Sequence, residues 1–378
     1  MKPRRVTLLV SQLGFGGAEL QSYELLRALT LRGGFELRCL CLSEQVEPYG
    51  EMIRALGIPL EIIPRRSSFD FARLGRLRRA LAASECEILH CIHYLAAGYG
   101  YLARLGRSRP HFLPSLRSTV VRHGRSKAWV YRRMLAHAPA IIVNSHRGAA
   151  YVREHFGADP GRLRIIDNGL RLDELRRRAA EGHDLREELG LAPETPLVGF
   201  IGKDAPVKRV DRFVALCQQL MIRRPDAHFV LVGWRLDEKA RARLNLENAR
   251  FHLLGPRGDV PRILRSLDLL VMTSDSEGCP NLLIEAAAIG TPALAPDVGD
   301  CERILAPIAA RAITPKQDLA TYLARAEDLL EHGLTRKEKT KLERWAREHY
   351  SLNTMVEATI AVYTSLTESY SASSGSPR

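Results

Sequence analysis

Two carboxylates, Glu277 and Glu285, stand eight residues apart in SEGCPNLLIEAAAIG, residues 276–290. Glu277 follows a short apolar run and therefore sits in a loop after a strand. Pro280 and Asn281 open a helix that carries Glu285. The backbone N–H groups near Cys279 to Leu282 would then point at an anion, worth ~0.3–1 kcal/mol or more if partly buried. Glu285 is set among Leu282, Leu283, Ile284 and Ala286–Ala288, so its carboxylate needs a hydrogen-bonding partner. A ribose diol would supply one. A capping acid beside an unrelated surface acid is the plainer alternative.

Two cations complement these acids. Lys203 and Lys208 lie in FIGKDAPVKRVDRF, between the end of a strand and the opening of a helix, and they are two of only nine lysines. Placed there, they can neutralise a diphosphate. A third candidate is the glycine turn LGFGGAEL, with Gly14, Gly16 and Gly17 directly before a helix, where backbone N–H groups can approach a phosphate. The dinucleotide fingerprint needs glycine at position 19, which is Glu, and an acid at the end of the second strand, whereas Glu36 lies at its start. NAD is therefore a poor fit. His90 and His93 stand in EILHCIH, residues 87–93, and Arg117 follows another apolar run.

The elements that must position these groups alternate along the chain. The apolar runs at 6–10, 36–42, 60–63, 87–91, 112–116 and 141–143 read as strands, with helices at 18–29, 52–56, 71–83, 95–105 and 126–136 between them. Residues 171–196 form a charged stretch ending in two prolines and read as a connection between domains. The alternation restarts with strands at 197–201, 229–232, 251–254, 269–272 and 293–295 and helices at 209–222, 260–267 and 282–289, then a helical tail over 317–366. This pattern predicts an α/β protein of two doubly wound, Rossmann-like parallel-sheet domains, with ligands at the carboxyl ends of the strands and in the cleft between the two. The expected division is 1–172, 173–350, a C-terminal helix at 351–370 and a disordered tail at 371–378.

Composition bounds the function. The 378 residues are 46% hydrophobic and 26% charged, ordinary for a globular protein, and no run is long enough for a membrane span. The apolar run at 6–10 is too short for a signal-peptide core. Seven cysteines, an odd number without CxxC, argue for reduced thiols in a cytoplasmic protein, with neither a zinc site nor a disulfide framework. Residues 1–172 carry 27 Lys and Arg against 13 Asp and Glu, and the rest carry 29 against 30. An excess confined to one half suggests a polyanionic partner. Residues 65–79 and 117–135 supply much of it, and the second stretch sets Trp129, Val130 and Leu135 among Lys127, Arg132 and Arg133, a pattern suited to an anionic membrane surface. An ordinary solvated basic helix would read the same way. No nucleic-acid recognition motif accompanies the charge.

EGCPNLLIE resembles the E-x7-E motif of retaining GT-B glycosyltransferases of glycosyltransferase family 4. GGAE (16–19), IIVNS (141–145), IIDNGLRLDEL (165–175), GKDAPVKRVD (202–211), LVG (231–233) and LLGPRGDVPRIL (253–264) agree in order and spacing over residues 5–305. The resemblance implies a nucleotide-diphospho-sugar donor on the second domain and an acceptor mainly on the first. By motif position, Glu285 would bind the ribose and Glu277 the donor sugar hydroxyls. Lys203 and Lys208 would hold the diphosphate, and Gly16 and Gly17 would close over it. Gly202, Arg257, Gly278, Cys279, Pro280, Asn281 and Leu282 complete the implied donor set, while Glu277, Lys208 and His93 are the implied catalytic residues. The family's usual residue at position 203 is Arg, which grips phosphate bidentately where Lys offers a point charge.

Relatives need no divalent metal, and no Asp-x-Asp stands at a strand end here. They also return their late helices, here 335–350 and 355–366, across the first domain. The expected function is metal-independent, retaining transfer from a UDP-sugar, or less favourably a GDP-sugar, to a lipid-linked or cell-envelope glycan, at the inner face of the cytoplasmic membrane. A UDP-sugar epimerase on the same plan and an inactive nucleotide-sugar-binding protein are the alternatives.

Overall fold

The computed structural model describes residues 3–67, 70, 72–107, 109–117, 124–234, 238, 242, 244, 246 and 248–374. The chain divides into two compact units, Met1–Gly169 with Leu352–Arg378, and Leu170–Ser351.

In the first unit the strands β1 (Arg4–Val10), β2 (Phe35–Cys41), β3 (Leu60–Ile62), β4 (Ile88–Ile92), β5 (His111–Leu116), β6 (Ile141–Val143) and β7 (Leu163–Ile165) form one sheet ordered β3-β2-β1-β4-β5-β6-β7. Every pairing is parallel. Parallel strands covered on both faces read as apolar runs, and β4 and β6 are buried throughout. Val6, Ile88, Leu113 and Ile142 share one core with Met355, Val356, Val362, Tyr363 and Leu366 of the C-terminal helix Leu352–Ser374. Leu9, Leu40, Leu89, Phe112 and Ile141 belong to another. His90 is fully buried, and its Nδ1 shares a 2.7 Å hydrogen bond with the Tyr363 hydroxyl. Burial pushes its pKa down to about 3, which keeps it neutral. His90 is therefore a tie between strand and helix.

The second unit repeats the plan with β8 (Leu197–Ile201), β9 (His228–Val232), β10 (Phe251–Gly255), β11 (Leu269–Val271), β12 (Ala293–Pro296) and β13 (Ile313–Thr314), ordered β10-β9-β8-β11-β12-β13. In each sheet the strand order reverses beside the first strand. The switch points are thus β1/β4 and β8/β11, where ligands of such sheets bind.

Four features differ from the sequence expectation. Residues 171–196 are no linker: they hold the helices Leu172–Ala180 and Leu185–Leu189 inside the second unit. Arg186 is buried there, pairs with Asp268, and donates to the carbonyls of Thr195 at 2.8 Å and Ser266 at 2.6 Å. Its charge, read as solvent exposure, in fact welds this segment to the sheet. Of the two late helices, Arg336–Tyr350 stays in the second unit, with Leu342, Ala346 and Tyr350 buried, and only Leu352–Ser374 joins the first. That last helix continues through 371–374, where disorder was expected, while 375–378 lie outside the described residues. An unforeseen helix, His146–Phe156, follows β6. It is capped by the Ser145 hydroxyl, which accepts from Gly148 N at 3.0 Å, so IIVNS is a strand followed by an N-cap.

Candidate active site

The second switch point brings the loop after β8 against the loop after β11. Lys208 ends the short turn Pro206–Lys208, and its Nζ lies 2.7 Å from Glu277 Oε1. Both side chains are mostly buried, 24% and 12% exposed. The pairing is partly desolvated and correspondingly strong. Around it, Asp275 N donates to Val207 O at 2.8 Å, and the Asp275 carboxylate takes Arg212 at 2.8 Å and Arg209 at 3.3 Å.

Two glycines permit the close packing of these loops. A Cβ at Gly233, φ +96°, would fall 2.3 Å from Gly202 O, and one at Gly299, φ +53°, would fall 2.5 Å from the carbonyls of both Glu277 and Gly278. Asp300 N then donates to Gly278 O at 2.9 Å. Gly299→Ala adds a backbone clash to a left-handed φ and is expected to cost about 1–3 kcal/mol, with Glu277 displaced, as urea unfolding will measure.

Glu285 lies on the helix Asn281–Ile289, which starts at Pro280 without a side-chain cap and ends at the left-handed Gly290. Arg176 Nε donates to Ala288 O at 2.8 Å and fixes its far end. Among the described residues the Glu285 carboxylate has no hydrogen-bond or ion-pair partner. Burial raises its pKa to about 7, against the smaller pull of Arg178. An acid whose folded pKa exceeds its unfolded value of 4.5 stabilises the fold only while protonated. The stability is therefore fully present below pH 4.5 and lost as pH rises through 7, at most about 3 kcal/mol. A Glu285→Gln variant should flatten that part of the pH–stability curve.

The other sequence candidates divide. Gly202 closes β8, donating to Val232 O at 3.1 Å. Lys203 is exposed and unpaired among the described residues, whereas Cys279 and Pro280 are buried and can offer only backbone. Gly278, Asn281 and Leu282 are half-buried at the start of the Glu285 helix. Arg257 is instead committed to Asp259 at 2.9 and 2.8 Å and to Glu188 at 2.6 and 3.1 Å. Two carboxylates thus share its guanidinium.

At the first switch point, Gly16 is extended, φ 174°, and a Cβ there would fall 2.1 Å from Glu19 Oε2. Glu19 is buried and accepts from Gln12 Nε2 at 2.9 Å. The Glu19 carboxylate thus lies against Gly16. His93, half-buried at the start of the helix His93–Arg104, adopts φ +74°. For a non-glycine residue that is an outlier of the sort that clusters at functional positions. Arg117 Nη1 donates to Asn168 Oδ1 at 2.9 Å.

Part of the basic excess is structural. Arg73 is buried, donates to the carbonyls of Ile63 and Leu42, and stacks 4.7 Å from the Tyr99 ring centroid; Arg76 pairs with Asp70 at 2.7 Å. On the helix Arg125–Ala136, Leu135 is buried with Met134, which removes it from the expected lipid face. Trp129 remains 64% exposed, with Arg133 over its ring at 5.9 Å. Residues 118–123 lie outside the described residues. All seven cysteines are buried and free, and among the described residues no helix is long and apolar enough to cross a membrane. Sequence reasoning missed Thr273, Asp275 and Arg209, whose only signal was their closeness to Glu277 and Lys208.

Residues 15–174 match the model of Glycosyltransferase Family 4, and residues 183–349 match that of Glycosyl transferases group 1. A D-inositol 3-phosphate glycosyltransferase of Nocardia farcinica is 29% identical over 56% of this chain, and the match spans about half, 52%, of that relative. One from Geodermatophilus obscurus is 24% identical over 98% of this chain and 92% of its own length. Crystal structures of Anabaena HepE with UDP and with UDP-glucose superpose with a TM-score of 0.80 at 18% identity, covering 96% of this chain and 100% and 99% of theirs.

Proposed function

The chain belongs to glycosyltransferase family 4 and has the GT-B fold, and from that premise we propose that it transfers a sugar from a nucleotide-diphospho-sugar, UDP-sugar before GDP-sugar, to an anionic glycan or lipid-linked acceptor with retention of configuration. The observation that carries the reading is the 2.7 Å Lys208–Glu277 pair at the β8/β11 switch point, with Glu285 on the helix that follows the same loop. Transfer must stabilise a departing diphosphate and a developing oxocarbenium ion. Lys208 offsets the first, assisted by Lys203, and these two cations supply the charge that would otherwise call for a metal ion. Glu277 receives donor sugar hydroxyls and Glu285 the ribose diol. His93 orients the acceptor hydroxyl.

The acceptor side rests on charge. The basic excess of residues 1–172 suits a phosphorylated acceptor, in keeping with the inositol phosphate in the relatives' names. Exposed Trp129 among Lys127, Arg132 and Arg133 supports contact with anionic lipid. Cosedimentation with anionic vesicles that disappears in high salt and with Trp129→Ala checks this.

A thermal-shift comparison of UDP, GDP, ADP and NAD, without divalent metal, tests the donor. A ligand at 100 times its Kd stabilises by ~2.7 kcal/mol. A shift with UDP or GDP is expected, and a shift with NAD alone overturns the reading. Turnover of UDP-sugar without acceptor would mark the epimerase instead. Affinity also carries a pH signature. The diol hydroxyls need an ionised Glu285 as acceptor, so nucleotide affinity is expected to rise about tenfold between pH 6 and 8, following ionisation near pH 7. Calorimetric titration of wild type and Glu285→Gln checks it.

A further inference from the structure

Lysine carries its charge on a flexible four-carbon stem, so the place of its ammonium depends on how firmly its backbone is held. At Lys208 the backbone is held in an unusual way. The next residue, Arg209, adopts φ 51° and ψ 53°, the left-handed conformation that a non-glycine residue keeps only when its surroundings impose it. Those surroundings come from the segment that carries Glu277. The Thr273 hydroxyl, buried two residues after β11, lies 3.1 Å from Lys208 O and 2.9 Å from Arg209 O. Two residues on, Asp275 binds Val207 O through its N–H and the Arg209 guanidinium through its carboxylate. Asp211 takes the remaining Arg209 donors at 2.9 and 2.6 Å.

We propose that Thr273 and Asp275 are positioning residues that seat Lys208 against Glu277. Residues 273–277 thus hold the backbone of the lysine with one end and its ammonium with the other. The proposal rests on the reading of Lys208 as the donor-phosphate ligand and adds the residues that make its geometry definite. A hydroxyl that merely satisfied two buried carbonyls would stabilise the fold and leave nucleotide binding to other groups. The two roles separate by coupling.

The test compares Thr273→Val, Thr273→Ser, Lys208→Ala and the Thr273→Val/Lys208→Ala double variant of the full chain. Dissociation constants for UDP and GDP, steady-state kinetics and melting temperature are measured for each. Valine keeps the shape and removes the hydroxyl. Thr273→Val is expected to weaken nucleotide binding about tenfold and to lower kcat, with Thr273→Ser restoring both. In the Lys208→Ala background, Thr273→Val is expected to cost no further affinity. Additive losses overturn the clamp alone. So does a lower melting temperature with unchanged affinity, or a serine variant as impaired as the valine. A Lys208→Ala variant that binds both nucleotides like wild type overturns the phosphate reading and the clamp with it.

Discussion

Lys208→Ala is expected to lower the transfer rate by about 10²–10³-fold, the usual loss when one preorganised group facing developing charge is removed. The argument is electrostatic. Lys208 is three-quarters buried and lies against a carboxylate that is buried further, so its charge acts through less water than that of the exposed Lys203. Removing it also breaks the Lys208–Glu277 ion pair. Lys203→Ala should therefore cost several-fold less. The two glutamates are expected to separate: Glu285→Ala weakens nucleotide binding, and Glu277→Ala mainly slows transfer at similar affinity. Steady-state kinetics beside calorimetric titration reads the split. Wild-type activity in both glutamate variants would remove the assignment of the site.

Much of this site was legible because its chemistry is local in the chain. Glu277 and Glu285 share one loop and one helix, and the two lysines share another loop. Strand periodicity alone places both loops at strand ends. What periodicity cannot supply is which strands are neighbours, and it is the adjacency of β8 and β11 that brings Lys208 to Glu277 across 69 residues. The same limit hid the fate of charged side chains. Arg186 reads as a linker residue and Arg73 as part of a basic stretch, yet each is bound by carboxylates or carbonyls distant in sequence, as is Arg257 of the implied donor set. Arginine buries readily when its fork is fully met, and only the fold reveals whether it is. Glu19 is the converse. It spoils the dinucleotide fingerprint, and the structure gives it the place beside Gly16.

Truncation after Tyr350 is expected to abolish the folded first unit. The helix Leu352–Ser374 buries Met355, Val356, Val362, Tyr363 and Leu366 on the sheet, so its loss uncovers Val6, Ile88, Leu113 and Ile142 together. A single large-to-small change there already weighs heavily. Tyr363→Ala should cost about 3–5 kcal/mol, against a total of about 5–15 kcal/mol for a typical domain. Tyr363→Phe isolates the polar part. It strands Nδ1 of His90, whose Nε2 is already buried with no hydrogen-bond partner among the described residues, and should cost about 1–3 kcal/mol. A contiguous apolar face of this kind also invites aggregation, so the truncated chain is expected to be recovered mainly in the insoluble fraction. Urea unfolding of the two Tyr363 variants, with proteolysis of the truncated chain, gives the measurement. A soluble, protease-resistant truncation would mean that the sheet covers this face in another way. The helix Arg336–Tyr350 should survive the cut, because Leu342, Ala346 and Tyr350 are buried within the second unit.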